Sequence, residues 1–431
     1  MTDNGNQIRP VRTLEVENFS VIRKAKLEFG RITVLVGPQA RGKSLLCKLT
    51  YFLGSEVQGI AADSLLNRNS WDEFLETLRR EFESRFVISE CIRSDSMVSY
   101  SSQRYFATLR GLGQASKMSV EVSFNEFFRD LYQQFLAHRK PVLLSRAELV
   151  QELSLAVALP PNQGEVSLYI PSGRAFFVDP DRLVAALQGA GLDQITKGFA
   201  GQIAWNSRWK LGLLTTGRGA VQEIEAEMAH IADGSVAERD GRTVFLSSDG
   251  RNLPLFALSS GTSELLPMFN ALNRFAFLQE HSSAFAMSTK AALVPIIYLE
   301  EPEAHVFPDT QRQLVNLFAW MANDPILAFN WVITTHSPYI LTAFNTLIEA
   351  WRAGRKKEKH NQVAAIVDEL SWVSEDDFAA YTIRDGEIHS IFQREKTGVG
   401  GSGLIDGDYL DSVSDQLGSE FDRLLDIEYA E

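Results

Sequence analysis

Three short apolar runs stand out along the chain, and each ends in small, polar or charged residues. They cover residues 32–36 (Ile-Thr-Val-Leu-Val), 294–299 (Val-Pro-Ile-Ile-Tyr-Leu) and 331–335 (Trp-Val-Ile-Thr-Thr). Runs of this length bounded by turn residues predict strands buried on both faces, as in the parallel part of an α/β sheet. The pattern before the first run is different. Leu14, Val16 and Phe19, then Ile22, Ala25, Leu27 and Phe29, alternate loosely with polar positions. They predict two short strands, an antiparallel pair feeding the first buried strand and so a mixed sheet. Further strands are expected over 85–89, 97–100 and 120–124, and helices over 45–53, 71–82, 125–139 and much of 181–232. The aromatic residues of 125–139 recur at helical spacing, which favours core packing over base stacking. Apolar residues flank Asp249-Gly250 and Asp385-Gly386, two hairpin signals. Residues 398–403 read as a glycine-rich loop and 409–427 as an amphipathic helix.

The residues directly after the first run carry chemistry. Gly37-Pro38-Gln39-Ala40-Arg41-Gly42-Lys43-Ser44 has the form G-x-x-x-x-G-K-[ST] of a phosphate-binding loop, between a strand and a helix. Glycine lets successive backbone N–H groups converge on one anion, and the helix start adds unpaired donors and a positive dipole end. In that motif Lys43 reaches the β- and γ-phosphates, and the Ser44 hydroxyl ligates Mg²⁺.

Three other stretches have related features. Leu258-Ser259-Ser260-Gly261-Thr262-Ser263-Glu264 precedes a helical run, with Glu264 where a carboxylate favours helix initiation. The second run delivers Glu300-Glu301-Pro302-Glu303 to a strand end, where ligands of open α/β sheets collect. One carboxylate can serve the Mg²⁺ shell and the next can orient a water. The third run ends in His336-Ser337-Pro338. Three strand ends carrying reactive groups point to one convergent site. Residues 166–178 hold two apolar stretches around Pro171-Ser172-Gly173-Arg174, which reads equally as an active-site edge or a solvent-facing turn.

Composition narrows the partners. The 431 residues carry a net charge of −13, which argues against non-specific nucleic-acid binding by the whole surface but leaves room for a local basic groove. Two cysteines, Cys47 and Cys91, are too few for a disulfide framework and suit a reducing cytosol. The polar N-terminus and the lack of a membrane-length apolar run lead to the expectation of a soluble cytoplasmic protein without a membrane anchor.

The four motifs, in this order, resemble ABC-type ATPase heads of the SMC, RecF and OLD kind over about residues 11–54 and 242–345. The resemblance implies an α/β fold: an ABC-type head with a mixed sheet, an antiparallel β subdomain and helical insertions. It also implies ATP and Mg²⁺ as cofactors and a head-to-tail dimer, alone or within a higher homo-oligomer. In such a dimer ATP on residues Gly37 to Ser44 of one copy meets Ser259, Ser260 and Gly261 of the other. Glu301 is then the catalytic carboxylate, Lys43 the phosphate lysine, His336 the switch histidine, and Ser44 and Glu300 the metal ligands. Glu300 stands where the group carries aspartate, Gln39 where asparagine is common, and Arg41 where serine or glycine is common.

On this basis residues 1–58 and 242–350 form the head. Residues 59–165 form an α+β insertion, 166–241 a strand-turn and helical part, and 351–431 a C-terminal hairpin and helix. The chain lacks the long coiled coil of SMC proteins. Tyr169 to Arg174 resembles a turn of bacterial defence ATPases, and the whole resembles stand-alone ATPase subunits of antiphage systems such as PARIS and Septu. That implies a separate nuclease or toxin effector and a phage-encoded trigger. Two alternatives stay open: a RecF/SMC-like DNA-binding repair ATPase, and an OLD-like ATPase-nuclease using Asp406 and Asp408.

Overall fold

The computed structural model describes residues 12–86, 88–114, 117–137, 144–158, 163–178, 192–208, 219–289, 292–392, 404–405 and 419–423. The glycine-rich loop 398–403, the Asp406–Asp408 segment and most of the expected helix 409–427 lie outside them, as do 179–191 and 209–218 within the stretch read as helical.

An eleven-stranded mixed sheet organises the chain. The N-terminal alternation becomes the antiparallel pair β1 (Arg12–Phe19) and β2 (Ile22–Phe29), in register from Arg12↔Phe29 to Phe19↔Ile22. The three apolar runs become β3 (Ile32–Val36), β11 (Ala292–Glu300) and β12 (Asn330–Thr335), adjacent and parallel in the order β3-β12-β11. Their continuous hydrophobicity has the expected cause. Val34, Val36, Ile297, Leu299, Trp331 and Ile333 face one core, whereas Leu35, Ile296, Tyr298 and Val332 face another. A strand buried on both sides has no polar alternate positions.

The expected mixed sheet is therefore present, and its two wings differ. On one side β7 (Gln163–Ile170) runs parallel beside β11. On the other, β1 pairs with β4 (Met97–Ser102), followed by β5 (Tyr105–Gln114) and β6 (Lys117–Phe124), all antiparallel. The second Asp-Gly hairpin joins the wings. Its strands, β13 (Phe378–Arg384) and β14 (Glu387–Ser390), lie between β3 and β2. Segments from opposite ends of the chain thus close one sheet.

The first Asp-Gly hairpin also forms, pairing β9 (Arg242–Ser247) with β10 (Asn252–Pro254) in a separate small sheet. Its third strand, β8 (Gly234–Arg239), has no hydrophobic signature because it is exposed along most of its length. The signal for it is Asp240-Gly241, both at positive φ (50° and 73°), a two-residue hairpin turn.

The strand expected over 85–89 does not form. Arg85 instead ends the helix Trp71–Arg85, where its guanidinium pairs with Glu81 one turn back (3.2 Å) and with Glu56 (3.1 Å). A short helix, Ile88–Cys91, follows. The helix Trp71–Arg85 begins with a capping box, Ser70 and Glu73 each bonding the other's backbone N–H. Its aromatic face meets the helix Glu126–Ala137: Phe74 stacks on Tyr132 with centroids 5.0 Å apart, and both rings are buried. Phe128 is buried there too, so packing is the role of these aromatics. Phe127 lies under the Arg104 guanidinium at 3.9 Å.

The helix after the phosphate loop, Lys43–Tyr51, rewinds through a π-helical turn, Phe52–Glu56, and continues as Val57–Leu66. Gly54 lies in that turn, and a Cβ there would stand 2.9 Å from the Tyr100 hydroxyl. The helix can approach the tyrosine-rich sheet surface only without a side chain at this position.

Candidate functional site

The loop 37–44 is shaped by backbone that side chains resist. Gly37, Ala40 and Gly42 have φ of 147°, 59° and 103°. Gly42 also meets the β1–β2 turn, where a Cβ would lie 2.5 Å from Ile22 Cδ1. Pro38, Gln39, Ala40 and Arg41 are exposed, while Lys43 is only 4% exposed. The helix that starts at Lys43 has neither a side-chain cap nor an acidic residue in its first turn. Its N-terminal amides and Ser44 therefore face the loop without a competing protein anion.

Lys43 Nζ donates to the carbonyls of Gly37 (2.7 Å) and Pro38 (2.9 Å) and lies 3.1 Å from His336 Nε2. The same Nε2 is 3.2 Å from Glu301 Oε1. Three residues from the ends of three distant apolar runs thus form one chain, Lys43–His336–Glu301. The imidazole can serve one neighbour at a time through Nε2. Without a proton there it accepts from Lys43, and with a proton it donates to Glu301 while Nδ1, 3.4 Å from Lys43 Nζ, remains an acceptor for the ammonium. Burial pulls the Lys43 ammonium below the usual lysine range, and Glu301 and Glu303 partly oppose this.

Glu301 has φ of 43°, unusual for a residue with a Cβ. Two bonds hold this conformation: its N–H donates to Thr334 O on β12 (2.9 Å), and its carbonyl accepts from Arg174 Nη2 (3.2 Å). Strain of this kind collects where a side chain must be aimed. Glu303, to which the motif assigns no role, accepts the His336 backbone N–H on Oε1 at 2.6 Å. Its Oε2 is buried and has no hydrogen-bond partner, and burial raises its carboxyl above the usual glutamate range.

Glu300 is 3% exposed. Its Oε1 accepts from Tyr169 Oη (2.8 Å), and its Oε2 accepts from the Ser172 N–H (3.1 Å) and hydroxyl (3.4 Å). Burial keeps the Tyr169 phenol protonated, and therefore a donor, far into the alkaline range. No hydrogen bond links Glu300 to Ser44. A carboxylate offers about four lone-pair positions, so three donors leave one for a water or an ion. Tyr169 lies at the end of β7 and Ser172 in the proline turn that follows it, whose pattern is ambiguous in the sequence. Pro171 and Arg174 in that turn are buried while Ser172 and Gly173 are exposed, so the turn is in part an inner wall of the site and in part surface.

The signature stretch is placed differently. Ser259 caps the helix Ser260–Thr289, its hydroxyl accepting the Thr262 N–H at 3.1 Å. Ser259 and Ser260 are exposed. Gly261 packs on the turn after Glu301, where a Cβ would lie 2.8 Å from His305 O. No hydrogen bond joins Ser259, Ser260 or Gly261 to residues 37–44. Glu264 does not cap the helix. It is two residues beyond Thr262, the position a capping carboxylate would hold, and faces inward, 2% exposed, with Oε2 3.6 Å from Arg174 Nε.

The residues fit a magnesium nucleotide. The loop has the positive-φ backbone that points N–H groups at an anion, and the Lys43 ammonium lies beside it on two carbonyls. Among the described residues no cluster of three or more His, Cys, Asp or Glu side chains could hold a metal alone. Mg²⁺ ordinarily takes one or two protein oxygens and completes its shell with phosphate and water. Also among the described residues, no helix is long and apolar enough to cross a membrane.

Comparison with known proteins gives a partial match. Residues 192–341 match the model of the AAA ATPase domain family, a segment with the signature, the acidic strand and His336 but without the phosphate loop. No curated protein matches the chain. Among solved structures it is similar to an SMC head bound to the C-terminal winged-helix domain of ScpA, with 13% identity and a TM-score of 0.39, over 88% of this chain and 97% of that one. It is similar to the SMC head domain from Thermotoga maritima, with 9% identity and a TM-score of 0.38, over 89% and 98%. It is also similar to the recombination mediator RecF with ATP, with 10% identity and a TM-score of 0.39, over 90% and 100%.

Proposed function

We propose that the chain is an ATP-hydrolysing switch of the ABC type. One observation carries this reading: Lys43, His336 and Glu301 meet at the ends of three parallel strands beside a phosphate-loop backbone. In this reading Lys43, whose ammonium rests on the Gly37 and Pro38 carbonyls, is the residue that would hold the γ-phosphate. In the tautomer that carries the ring proton on Nε2, His336 would donate toward the phosphate or toward Glu301, with Nδ1 left as the acceptor on the Lys43 side. Glu301 takes the proton of an attacking water, a role that contributes about 10²–10⁴-fold in such reactions. Mg²⁺ arriving with the nucleotide would supply charge neutralisation, and Ser44 and Glu300 are the residues that would hold it.

Exposure of Ser259 and Ser260 on a capped helix start supports a site completed by a second copy of the chain. The expected work is a dimerisation cycle read by a separate effector, a nuclease or toxin in antiphage defence. The resemblance of the Tyr169–Arg174 turn to defence ATPases supports that setting. In the test, purified Glu301→Gln protein is incubated with ATP and Mg²⁺. Turnover is expected to fall by about a hundredfold or more, with ATP retained and a dimer on sizing chromatography. Turnover equal to the unmodified chain would remove Glu301 from its role.

A second reading, a DNA-binding ATPase, is favoured by one feature. Arg355, Lys356, Lys357 and Lys359 are exposed together after the helix Pro338–Gly354. If that cluster binds duplex DNA, affinity should drop steeply with salt, and neutralising the four cations should flatten the slope by roughly 3–4. Absence of salt-dependent binding would leave the effector-switch reading alone.

A further inference from the structure

Arg174 is the largest fully buried charged side chain among the described residues, and its partners come from three separate elements. It follows Gly173, which at φ 67° turns the chain inward from β7. Nη1 donates to Pro171 O (3.2 Å) and to Glu300 O (2.8 Å), and Nη2 to Glu301 O (3.2 Å). Nε donates to Glu264 O (3.1 Å), in the second turn of the signature helix. The plane of one guanidinium therefore fixes the end of β7, the end of β11 and the helix that starts at Ser260.

Resting on the ATPase reading above, we propose that Arg174 is a positioning residue that couples the two halves of the nucleotide site within one chain. It ties the backbone of Glu301, which acts on the nucleotide of its own loop, to the helix that presents Ser259 and Ser260 to the nucleotide of the partner copy.

The joint has room to change. Glu264 Oε2 is buried without a hydrogen bond, 3.6 Å from Arg174 Nε. Charge-assisted bonds of this type settle near 2.7–2.9 Å, and because the single Nε–H is already given to Glu264 O, closing the gap exchanges that backbone bond for one to Oε2. Because the guanidinium is rigid and planar, closing that gap shifts the signature helix relative to the Glu300–Glu301 carbonyls. A backbone already held at an unusual φ by two bonds responds to the loss or tilt of either. Nucleotide state at Glu301 and the pose of the signature helix are then linked, and two sites in a dimer are linked through two copies of this joint.

The test uses the full chain, ATP and Mg²⁺. It measures nucleotide affinity, kcat, KM and the Hill coefficient of hydrolysis for the unmodified chain, Arg174→Lys and Glu264→Gln. Lysine keeps the charge but loses the fork. Unmodified turnover is expected to be cooperative in ATP. In Arg174→Lys, nucleotide affinity should stay within about threefold, kcat should fall roughly tenfold or more, and the Hill coefficient should drop to about 1. Glu264→Gln should lower the Hill coefficient in the same direction while keeping the backbone bond to Arg174. If Arg174→Lys does not fold, Glu264→Gln decides by its own Hill coefficient. Cooperativity retained in the variants, with or without a lower kcat, overturns the coupling, and so does non-cooperative turnover by the unmodified chain. A chain that folds and never turns over ATP instead overturns the ATPase reading on which the coupling rests.

Discussion

The loop half and the signature half of the proposed site satisfy their polar groups in opposite ways. Around Lys43 the strong donors are occupied from within the chain: the ammonium by two carbonyls and His336, the His336 N–H by Glu303, the Glu301 N–H by Thr334. Around Ser259, among the described residues, the local bonds are those that cap and open the helix, and the two serines are exposed. A half that is complete within the fold can hold a ligand by itself. A half whose donors point outward contributes only when another surface brings a ligand to it. Binding should therefore follow the first region and turnover should need both.

The strongest way to break this contrast is Lys43→Ala. It removes the buried cation of the loop half, and ATP affinity is expected to fall by roughly a hundredfold or more, by equilibrium fluorescence titration. Retained affinity would mean that the loop amides suffice without the lysine. Ser260→Glu attacks the other half by placing a carboxylate where a phosphate should arrive. Affinity of the isolated chain should stay within about twofold while turnover drops about a hundredfold, because like charges brought together cost several kcal/mol. Equal loss of binding and turnover would show that Ser260 belongs to the loop half after all.

His336→Gln sharpens the comparison inside the first region. Glutamine can accept from Lys43 or donate to Glu301 but cannot carry a proton between them. Turnover is expected to fall by about ten- to a hundredfold at nearly constant affinity. The smallest effect concerns Glu303. Its carboxyl is raised in the folded chain, so the fold favours the protonated form, and stability is lost as pH rises from the ordinary glutamate range through the raised value. Glu303→Gln should cancel that loss, so the variant gains on the unmodified chain with rising pH in urea denaturation series. Parallel curves would place the cost elsewhere.

Much of the parallel core is legible in the chain because strands buried on both faces leave uninterrupted apolar runs, and their polar ends mark the sheet edge. Ile32–Val36, the Val294–Leu299 run and Trp331–Thr335 illustrate this. Arg85 misleads because β-rich neighbours outweigh two helical ion pairs that only the fold reveals. Glu264 reads as a cap from its distance to the serines, yet helix phase turns it inward. Tyr169 and Ser172 are invisible as partners of Glu300, since no local spacing links positions 128 or more residues apart.

The sequence by itself determined which residues could bear charge at strand ends. A phosphate loop, acidic strand ends and a terminal histidine are local patterns dictated by glycine geometry and by the alternation of burial. Only the tertiary structure decided which of these groups meet. One imidazole nitrogen lies between Lys43 and Glu301, and the wholly buried guanidinium of Arg174 ties two acids and a helix together, because parallel pairing sets the distance between residues that the chain separates by 35 to 293 positions.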